Sequence, residues 1–330
     1  MDYFDVKESF PIVITPKKPL VNFLDLTQML PHYKSNIEKL LLKHGALLFR
    51  GFPLNSDDHF AEFIEAINLG TFVDYIGGDS PRDKVKNKVY TSTQAPPEIH
   101  LPLHQELSYI KHFPKHIYFY CDIAPSERGE TIIADAREVY KNLNPDVIER
   151  FQKKELTYVS HYYYENKIMK LLNHFKRSHK SWTEVFETNN KAEVEKICVE
   201  NEFAWHWLPQ DWIKIMQTRP ALLEHPLTKE TVWFNQAHLY DFNPKLLGTM
   251  RYLAAQLFYF RRSTRLHEIM FADGSKVPRK DLYHVLDTLQ KQTVYFPWQK
   301  GDVMILDNIL AMHGRAAFTG KRRILTALTK

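Results

Sequence analysis

Two histidines and one carboxylate are the residues whose types and spacing could do chemistry in this chain. His104 and Glu106 stand two residues apart in the apolar-rich stretch 101–109, which predicts a strand. Alternate residues of a strand share one face, so both side chains would point the same way. His313 follows a second apolar stretch and would complete a facial triad. Two histidines and one carboxylate are typical of non-haem Fe(II) oxygenases, because they leave coordination positions open.

The spacing alone leaves a second interpretation open. Sixteen histidines and 39 acidic residues in 330 predict roughly two His-x-acid pairs by composition, and the chain contains one, at His104. In this second interpretation His104 is an ordinary core or surface histidine, and His313 is a loop histidine.

Two arginines near the end of the chain could bind a carboxylate. Arg322 and Arg323 stand just before the apolar run 324–328 and shortly after His313. A guanidinium presents a planar fork that matches a carboxylate through two hydrogen bonds. Neighbouring residues of a strand face opposite ways, so only one of the two could point toward the site. In the second interpretation the pair is a solvated edge.

The elements that must position these residues are mostly short strands. Apolar or alternating runs bounded by turn residues predict strands at 46–52, 89–93, 101–109, 117–123, 131–134, 231–234, 303–306 and 324–328. Capping residues and apolar spacing predict helices that begin at Ser35, Asp57, Asn190 and Asn243, and one over 280–290. The first would end at Gly45 and the second at Gly70.

The order of these elements indicates the fold class. The strands do not alternate regularly with helices, which disfavours a doubly wound parallel sheet. We therefore expect a mainly β protein with α insertions, in which a jelly-roll core carries helices on its outside. No linker or repeat divides the chain, so we expect a single domain over residues 1–330.

Composition and charge exclude several classes of protein. The 44 basic and 39 acidic residues leave a net charge of +5 with no dense basic stretch, so no nucleic-acid groove is indicated. No apolar run approaches the roughly 20 residues that span a bilayer, and the first ten residues lack the pattern of a signal peptide. Cys121 and Cys198 cannot build a disulfide framework. We expect a cytoplasmic protein without nucleic-acid or membrane partners, and we leave its oligomeric state open.

Several segments, in the same order along the chain, resemble the TauD/TfdA family of Fe(II)- and 2-oxoglutarate-dependent dioxygenases. More narrowly, they are similar to its branch of syringomycin-type amino-acid hydroxylases. The segments are GALLFRGF at 45–52, LHQELSY at 103–109, GET at 129–131, VWFNQ at 232–236, HGR at 313–315 and GKRR at 320–323. The resemblance implies a clavaminate-synthase-like fold with a double-stranded β-helix core.

The resemblance also implies a role for each matching residue. The Fe(II) ligands would be His104, Glu106 and His313. Arg323 would bind the distal carboxylate of 2-oxoglutarate, and Thr131 would help to hold this co-substrate through its hydroxyl group.

Two positions depart from the family pattern. The family often has two glycines before the acidic residue that precedes the threonine, whereas this chain has Arg128 and Gly129, so the turn there is expected to differ. Taurine dioxygenases also carry an arginine for the sulfonate four residues beyond the one that binds 2-oxoglutarate. Ala327 stands at that position here, which disfavours a taurine-like substrate.

The branch implies hydroxylation of an amino acid or amino-acid derivative, free or tethered to a carrier protein, with Fe(II), 2-oxoglutarate and O₂. Candidate substrate-binding residues are Arg82, in a glycine-containing loop, and Asn235 and Gln236, directly after the run 231–234. The halogenases of the superfamily lack the carboxylate ligand, so Glu106 predicts oxygenation rather than chlorination. Two alternatives remain: a desaturase, and a catalytically silent jelly-roll module whose metal only stabilises the fold.

Overall fold

A computed structural model gives the structure of this chain. It describes residues 2–20, 22–75, 78, 82–86, 88–93, 95–164, 180–258 and 266–330. The strands are β1 (Phe4–Lys7), β2 (Ile12–Pro16), β3 (Ala46–Phe49), β4 (Lys84–Lys86), β5 (Val89–Thr91), β6 (Leu101–His104), β7 (His116–Ile123), β8 (Glu127–Arg128), β9 (Thr131–Asp135), β10 (Leu156–Tyr162), β11 (Ala204–Leu208), β12 (Trp212–Arg219), β13 (Leu222–Glu224), β14 (Thr231–Trp233), β15 (His267–Phe271), β16 (Val303–Asp307), β17 (Ala311–Arg315), β18 (Phe318–Thr319) and β19 (Arg323–Thr329).

The described part of the chain also contains helices. They are α1 (Phe23–His44), α2 (Asp57–Ile67), α3 (Ala136–Asn142), α4 (Pro145–Lys154), α5 (Trp182–Val185), α6 (Lys191–Glu200), α7 (Ala237–Tyr240), α8 (Pro244–Leu247), α9 (Thr249–Phe258) and α10 (Arg279–Gln292), with a 3₁₀ turn at Pro209–Asp211. No helix within these described ranges is long and apolar enough to cross a membrane.

The largest sheet separates two hydrophobic cores. Its eight strands follow the order β1-β2-β3-β16-β7-β19-β5-β4. Side chains of a strand alternate between the two faces of its sheet. On β7, Phe119 and Cys121 therefore pack into one core, and Tyr118 and Tyr120 pack into the other. Both faces are apolar because both are covered.

The inner face is covered by a second sheet. The three strands β6-β17-β9 contribute Leu103, Met312 and Ile132 to the core that also holds Phe119. Two sheets that enclose one core form a double-stranded β-helix, or jelly roll. The predicted fold class, mainly β with α insertions, is confirmed.

The outer face is covered by α1 and α2. Phe60 and Phe63 of α2 pack with Phe49 and Tyr120 of the large sheet. The helix begins behind Ser56, whose side chain accepts a hydrogen bond from the N–H of His59. It ends at Ile67, slightly before the predicted Gly70.

The predicted start of the first helix is wrong. This helix begins at Phe23 behind the cap Asn22, so the proposed capping residue Ser35 lies well inside it. Pro31 also lies inside the helix, and a proline normally interrupts the helical pattern, which hid the earlier turns from the sequence. Its end at Gly45 is confirmed, with the glycine in the left-handed conformation at φ = 74°.

The remaining predicted elements occur with shifted bounds. The helices predicted at Asn190, Asn243 and 280–290 correspond to α6, α8 and α10. A four-stranded sheet, β11-β12-β10-β15, lies in the chain between β9 and β16. These four strands were not predicted. In β11 no residue is buried, which explains why the apolar pattern missed that strand.

Gly314 allows β17 to approach β6 closely. A Cβ atom added to Gly314 would lie 2.4 Å from the carbonyl oxygen of Leu101 and 2.9 Å from that of Pro102. Any side chain there would push the two strands apart. These strands carry His104 and His313, so the glycine sets how closely the two imidazoles meet.

Candidate metal centre

Three side chains meet where β6 and β17 pair. His104 and His313 are direct partners in the antiparallel register, and their ring centroids lie 4.4 Å apart. Glu106 reaches the same point, where its Oε2 atom is 3.5 Å from Nε2 of His313. One ligand atom from each of the three residues lies within 4.8 Å of the others. The structure thus brings the three predicted ligands together.

Glu106 does not lie in a strand, contrary to the prediction for 101–109. Strand β6 ends at His104, and the chain then turns through Leu107, whose φ is 54°. Strand alternation therefore does not place Glu106 beside His104. The turn places it there, because the Glu106 backbone is bound by the side chain of Asn308 instead of by a neighbouring strand.

Asn308 holds the peptide groups on both sides of the Glu106 α-carbon. Its Oδ1 atom accepts a hydrogen bond from the N–H of Glu106 at 2.8 Å. Its Nδ2 atom donates to the carbonyl oxygens of Glu106 and Pro114, each at 2.9 Å. Asn308 is fully buried, so no solvent competes for these bonds. Asn308 was not among the site residues predicted from the sequence. Its signal was a polar pair, Asp307 and Asn308, directly after the apolar run 303–306.

The turn that carries Asn308 is itself fixed by a buried pair. Asp307 Oδ1 accepts from two backbone N–H groups of the following turn, at 2.9 and 3.0 Å. Its Oδ2 lies 3.1 Å from His225 Nε2. Nδ1 of His225 accepts from two backbone N–H groups of its own loop, so Nε2 carries the hydrogen and donates to Asp307. Because this turn leads into β17, it positions His313 as well as Glu106.

The protonation states of the ligands suit metal binding. His104 Nδ1 lies 2.8 Å from the Pro102 carbonyl oxygen and must donate, which leaves the lone pair of Nε2 for a metal ion. Loss of solvent, with the nearby His313 ring, lowers the pKa of His104 to about 3, so the imidazole is neutral. Burial alone would raise the pKa of Glu106, but Arg82 and His313 outweigh it and hold the pKa below its usual range. Neutral imidazole and ionised carboxylate are the forms that bind metals.

The donor set fits Fe(II). Two imidazole nitrogens and one carboxylate oxygen lie within 4.8 Å of one another, and this set of donors is that of the facial triad of non-haem iron oxygenases. His104, Glu106 and His313 would hold the ion, and the opposite side would remain for other ligands.

The structure contradicts the predicted orientation of the two arginines. Arg323, expected to face the site, forms ion pairs with Asp57 at 2.6 Å and Asp122 at 2.8 Å. Arg322 faces inward instead and donates to Thr131 Oγ1 at 3.4 Å.

Strand alternation itself explains the correction. Ile324 and Leu328 belong to the inner core, whereas Leu325 and Ala327 belong to the outer core. Alternation therefore turns Arg323 outward, as the next residue before Ile324. The sequence could not show which face was inner, because both faces of β19 are apolar.

Among the described residues, Arg322 is a cation without an ion-pair partner. Its guanidinium donates to the Gly129 carbonyl at 2.8 Å and to the Ser92 hydroxyl at 3.2 Å. No carboxylate lies within ion-pair distance of it in the described part of the chain. Burial and the neighbouring Arg315 lower the pKa of Arg322 to about 10. An anion bound here would restore the balance of charge.

Thr131 has a hydroxyl hydrogen to donate. Its Oγ1 accepts a hydrogen bond from Trp298 Nε1 at 3.2 Å, and one from Arg322. A hydroxyl that accepts twice keeps its own hydrogen for an acceptor placed beside Arg322. The arrangement offers a guanidinium and a hydroxyl to one carboxylate.

Comparisons with known proteins identify the family. The family model described as "Taurine catabolism dioxygenase TauD, TfdA family" matches residues 14–329. The chain belongs to this family. It is 33% identical to the dapdiamide synthesis protein DdaC of Enterobacter agglomerans over 292 residues, which cover 88% of this chain and 84% of DdaC. It is 30% identical to a clavaminate synthase-like protein of Arabidopsis thaliana, over 97% of this chain and 94% of that protein.

Solved structures share the fold at low sequence identity. One is PvcB of Pseudomonas aeruginosa, which is described as an Fe, alpha-ketoglutarate dependent oxygenase from an isonitrile synthetic pathway. The match covers 96% of this chain and 85% of the PvcB chain, with a TM-score of 0.51 and 13% identity. AAD-2 in complex with Mn(II) and N-oxalylglycine matches 99% of this chain and 96% of its own with a TM-score of 0.54 and 12% identity. The fold is thus clavaminate-synthase-like. Family membership and the triad of His104, Glu106 and His313 make the chain an Fe(II)- and 2-oxoglutarate-dependent dioxygenase.

Two of the predicted substrate residues are bonded to the dioxygenase's own backbone. Asn235 is fully buried, and its Nδ2 donates to the Ala221 carbonyl at 2.9 Å. Gln236 Nε2 donates to the Gln105 carbonyl at 2.6 Å, and Gln105 Nε2 returns a bond of 2.7 Å to the Trp233 carbonyl. The amide donors of both side chains are therefore used within the fold, and a role for Asn235 and Gln236 in the substrate pocket stays a prediction. Gln236 ties the segment after β14 to the segment that carries the metal ligands, and Asn235 ties it to the residue before β13.

Arg82, the third predicted substrate residue, lies at the metal centre. Its Nη2 is 2.5 Å from Glu106 Oε2, and the two side chains are only 6% and 4% exposed. The guanidinium also stacks over the ring of Tyr75, with its carbon 4.1 Å from the ring centroid. Arg82 is thus in direct contact with Glu106, one of the three metal-binding residues of the dioxygenase.

The departure at Arg128 is accommodated without a second glycine. Arg128 and Gly129 both adopt left-handed conformations, with φ of 57° and 74°. Arg128 is exposed and tolerates this conformation, whereas a Cβ on Gly129 would lie 2.7 Å from that of Phe318. The turn therefore still delivers Thr131 to the start of β9.

We predict that Asn308→Asp lowers the Fe(II) affinity of the dioxygenase about 10- to 100-fold, which is typical when a residue that orients a metal ligand is lost. Aspartate has the same shape but cannot donate to the Glu106 carbonyl. The measurement is anaerobic Fe(II) titration of the metal-free protein, alongside thermal unfolding. Asn243→Asp is the matched control, since Asn243 is equally buried but bonds to Asp241 and Leu246. If both variants lost the same stability and neither lost Fe(II) affinity, Asn308 would have only a structural role.

Proposed function

We propose that this dioxygenase hydroxylates an amino acid or an amino-acid derivative, as do the syringomycin-type hydroxylases that its sequence resembles. The observation that carries the proposal is a pair of guanidinium groups around the triad. Arg322 stands beside Thr131, and Arg82 stands beside Glu106. 2-Oxoglutarate needs one cation for its distal carboxylate, so the other is left for a polar substrate. DdaC, which is named for dapdiamide synthesis, supports a biosynthetic role.

We assign the distal carboxylate of 2-oxoglutarate to Arg322 and Thr131. The guanidinium has no carboxylate partner within the described residues, and the Thr131 hydroxyl has a hydrogen to donate beside it. A fork and a hydroxyl together fix both the position and the rotation of a carboxylate. The other end of the co-substrate would then point toward His313, which pairs through β17 with the strand of Thr131.

Fe(II), when bound, supplies the O₂ activation that couples conversion of 2-oxoglutarate to succinate and CO₂ with insertion of one oxygen atom into a substrate C–H bond. The side chains of this protein bind and orient the co-substrate and the substrate, and they exclude water. The ring of Phe119 lies 5.2 Å from that of His313, and Leu103 and Ile133 are buried around the same strands. An apolar surround keeps water away from the reacting atoms.

The ligand set favours oxygenation over chlorination. Glu106 provides the carboxylate that occupies the position a halide would need, and it is held there by Asn308 and Arg82. Between hydroxylation and desaturation, the resemblance to the hydroxylase branch supports hydroxylation.

We predict that Arg322→Ala raises the KM for 2-oxoglutarate about 10- to 100-fold, since a charge-assisted bidentate contact contributes roughly 1.5–3 kcal/mol. The measurement is succinate formation as a function of 2-oxoglutarate concentration. Arg323→Ala is the matched control: it removes the ion pairs with Asp57 and Asp122, so it should lower thermal stability and change this KM less than about twofold. A reversed pattern would contradict the assignment.

We predict that at least one free amino acid or carrier-bound aminoacyl thioester stimulates succinate formation above the substrate-free background. The measurement is a panel of both classes together with taurine, followed by identification of the hydroxylated product. The sulfonate arginine of taurine dioxygenases stands four residues beyond the arginine that binds 2-oxoglutarate. With Arg322 in that role the position is Thr326 and no longer Ala327, and threonine carries no charge, so taurine should give no coupled turnover. Coupled turnover with taurine alone would contradict the proposed substrate class.

A further inference from the structure

We propose that Arg82 forms an anion site beside the metal ligand Glu106 and binds a free carboxylate of the substrate. This inference rests on the proposed function and makes it narrower, because a carrier-tethered thioester has no free α-carboxylate to offer. It therefore favours a free acid over a tethered substrate.

Unused hydrogen-bond donors are the first observation. Nη2 of Arg82 bonds to Glu106, but Nε and Nη1 are buried and have no hydrogen-bond partner among the residues that the structure describes. The side chain is 6% exposed, so solvent cannot satisfy these donors from outside. Buried donors without a partner are rare in native proteins and indicate a ligand or an ordered water. Nη2 also keeps a second hydrogen, so it can offer two parallel donors together with Nη1.

The rigid support of the guanidinium is the second observation. Arg82 stacks on one ring, that of Tyr75, which also lies 5.1 Å from the ammonium group of Lys180. Lys180 in turn donates to the Gly78 carbonyl at 3.0 Å. Gly78 packs so closely on the Tyr75 ring that any Cβ there would clash with it. An arginine held in this way is positioned before a ligand arrives, which lowers the entropic cost of binding.

The local charge identifies the ligand class. Glu106 is one carboxylate, and it is shared between the metal site and the guanidinium of Arg82. One carboxylate beside both a guanidinium and a divalent metal ion favours a further anion. A planar carboxylate matches the free donors of Arg82 in both charge and shape.

The anion site and the proposed 2-oxoglutarate site have no residue in common. Arg322 and Thr131 belong to the segments around β19 and β9, whereas Arg82 precedes β4 and contacts the turn after β6. The two guanidinium groups therefore serve two different carboxylates. Only the Glu106 side chain would separate the substrate carboxylate from the metal ion. We therefore expect oxidation at a substrate carbon close to that carboxylate.

The test compares acids with their uncharged amides. The holoenzyme with Fe(II) and saturating 2-oxoglutarate is kept anaerobic, and the visible charge-transfer band of the complex is followed during titration with propionate or with propionamide. In air, free amino acids and their α-carboxamides are compared for stimulation of succinate formation. The variants are Arg82→Gln and Arg82→Lys. Arg219→Gln is the matched control, because Arg219 also has a buried Nε without a partner but bonds to Asn201.

We expect the dissociation constant of propionate, measured from the change in the band, to be at least tenfold lower than that of propionamide. Arg82→Gln should abolish this difference, Arg82→Lys should keep part of it, and Arg219→Gln should keep all of it. Equal binding of acid and amide by the wild-type protein would overturn the anion site. So would an Arg82→Gln variant that raised the KM for 2-oxoglutarate and left the acid preference unchanged.

The two proposals fail in different ways. If propionate binding depends on Arg82 but no amino acid stimulates succinate formation, the anion site stands and the amino-acid substrate class is wrong. If amino acids and their amides are turned over equally well and propionate has no effect, the substrate class stands and the anion site is wrong.

Discussion

The antiparallel pairing of β6 with β17 is the interaction on which the rest of the site depends. It sets His104 opposite His313, and Gly314 lets the two strands come close enough for the imidazoles to share a metal ion. The third ligand depends on the same region, because the turn before β17 carries Asn308, which holds the backbone of Glu106. One turn therefore positions two ligands, and the buried pair of Asp307 and His225 keeps that turn in place.

The large sheet divides the basic residues of β19 between two environments. On its outer side, Arg323 is neutralised by Asp57 and Asp122 and ties α2 to the sheet. On its inner side, Arg322 has no carboxylate partner in the described residues and stands beside Thr131. Because a guanidinium in the interior is costly without an anion, an inward arginine that lacks one is better explained by a ligand than by stability. The same argument applies to the free donors of Arg82.

The sequence was informative where residue type determines chemistry. His104, Glu106 and His313 have the residue types that bind iron, but the family resemblance was needed to choose them over an ordinary structural role. The resemblance also gave the role of Thr131. The sequence was less informative where orientation depends on tertiary contacts. Both faces of β19 are apolar, so alternation could not tell Arg322 from Arg323. Asn235 and Gln236 looked like pocket residues, but their partners are backbone carbonyls of other segments, which no local pattern reveals. The role of Asn308 could not be predicted either, because its partners are backbone groups of Glu106 that come close only in the folded chain.

The central claim is that three side chains hold one Fe(II) ion. Anaerobic titration of the metal-free wild-type protein and of His313→Ala with Fe(II), followed by 2-oxoglutarate and monitored by the visible charge-transfer band, tests it most directly. We expect one Fe(II) per wild-type chain, a band that saturates at one equivalent of 2-oxoglutarate, and neither in the variant, since one of only three protein ligands is gone. Near-normal iron binding and an unchanged band in His313→Ala would contradict the account.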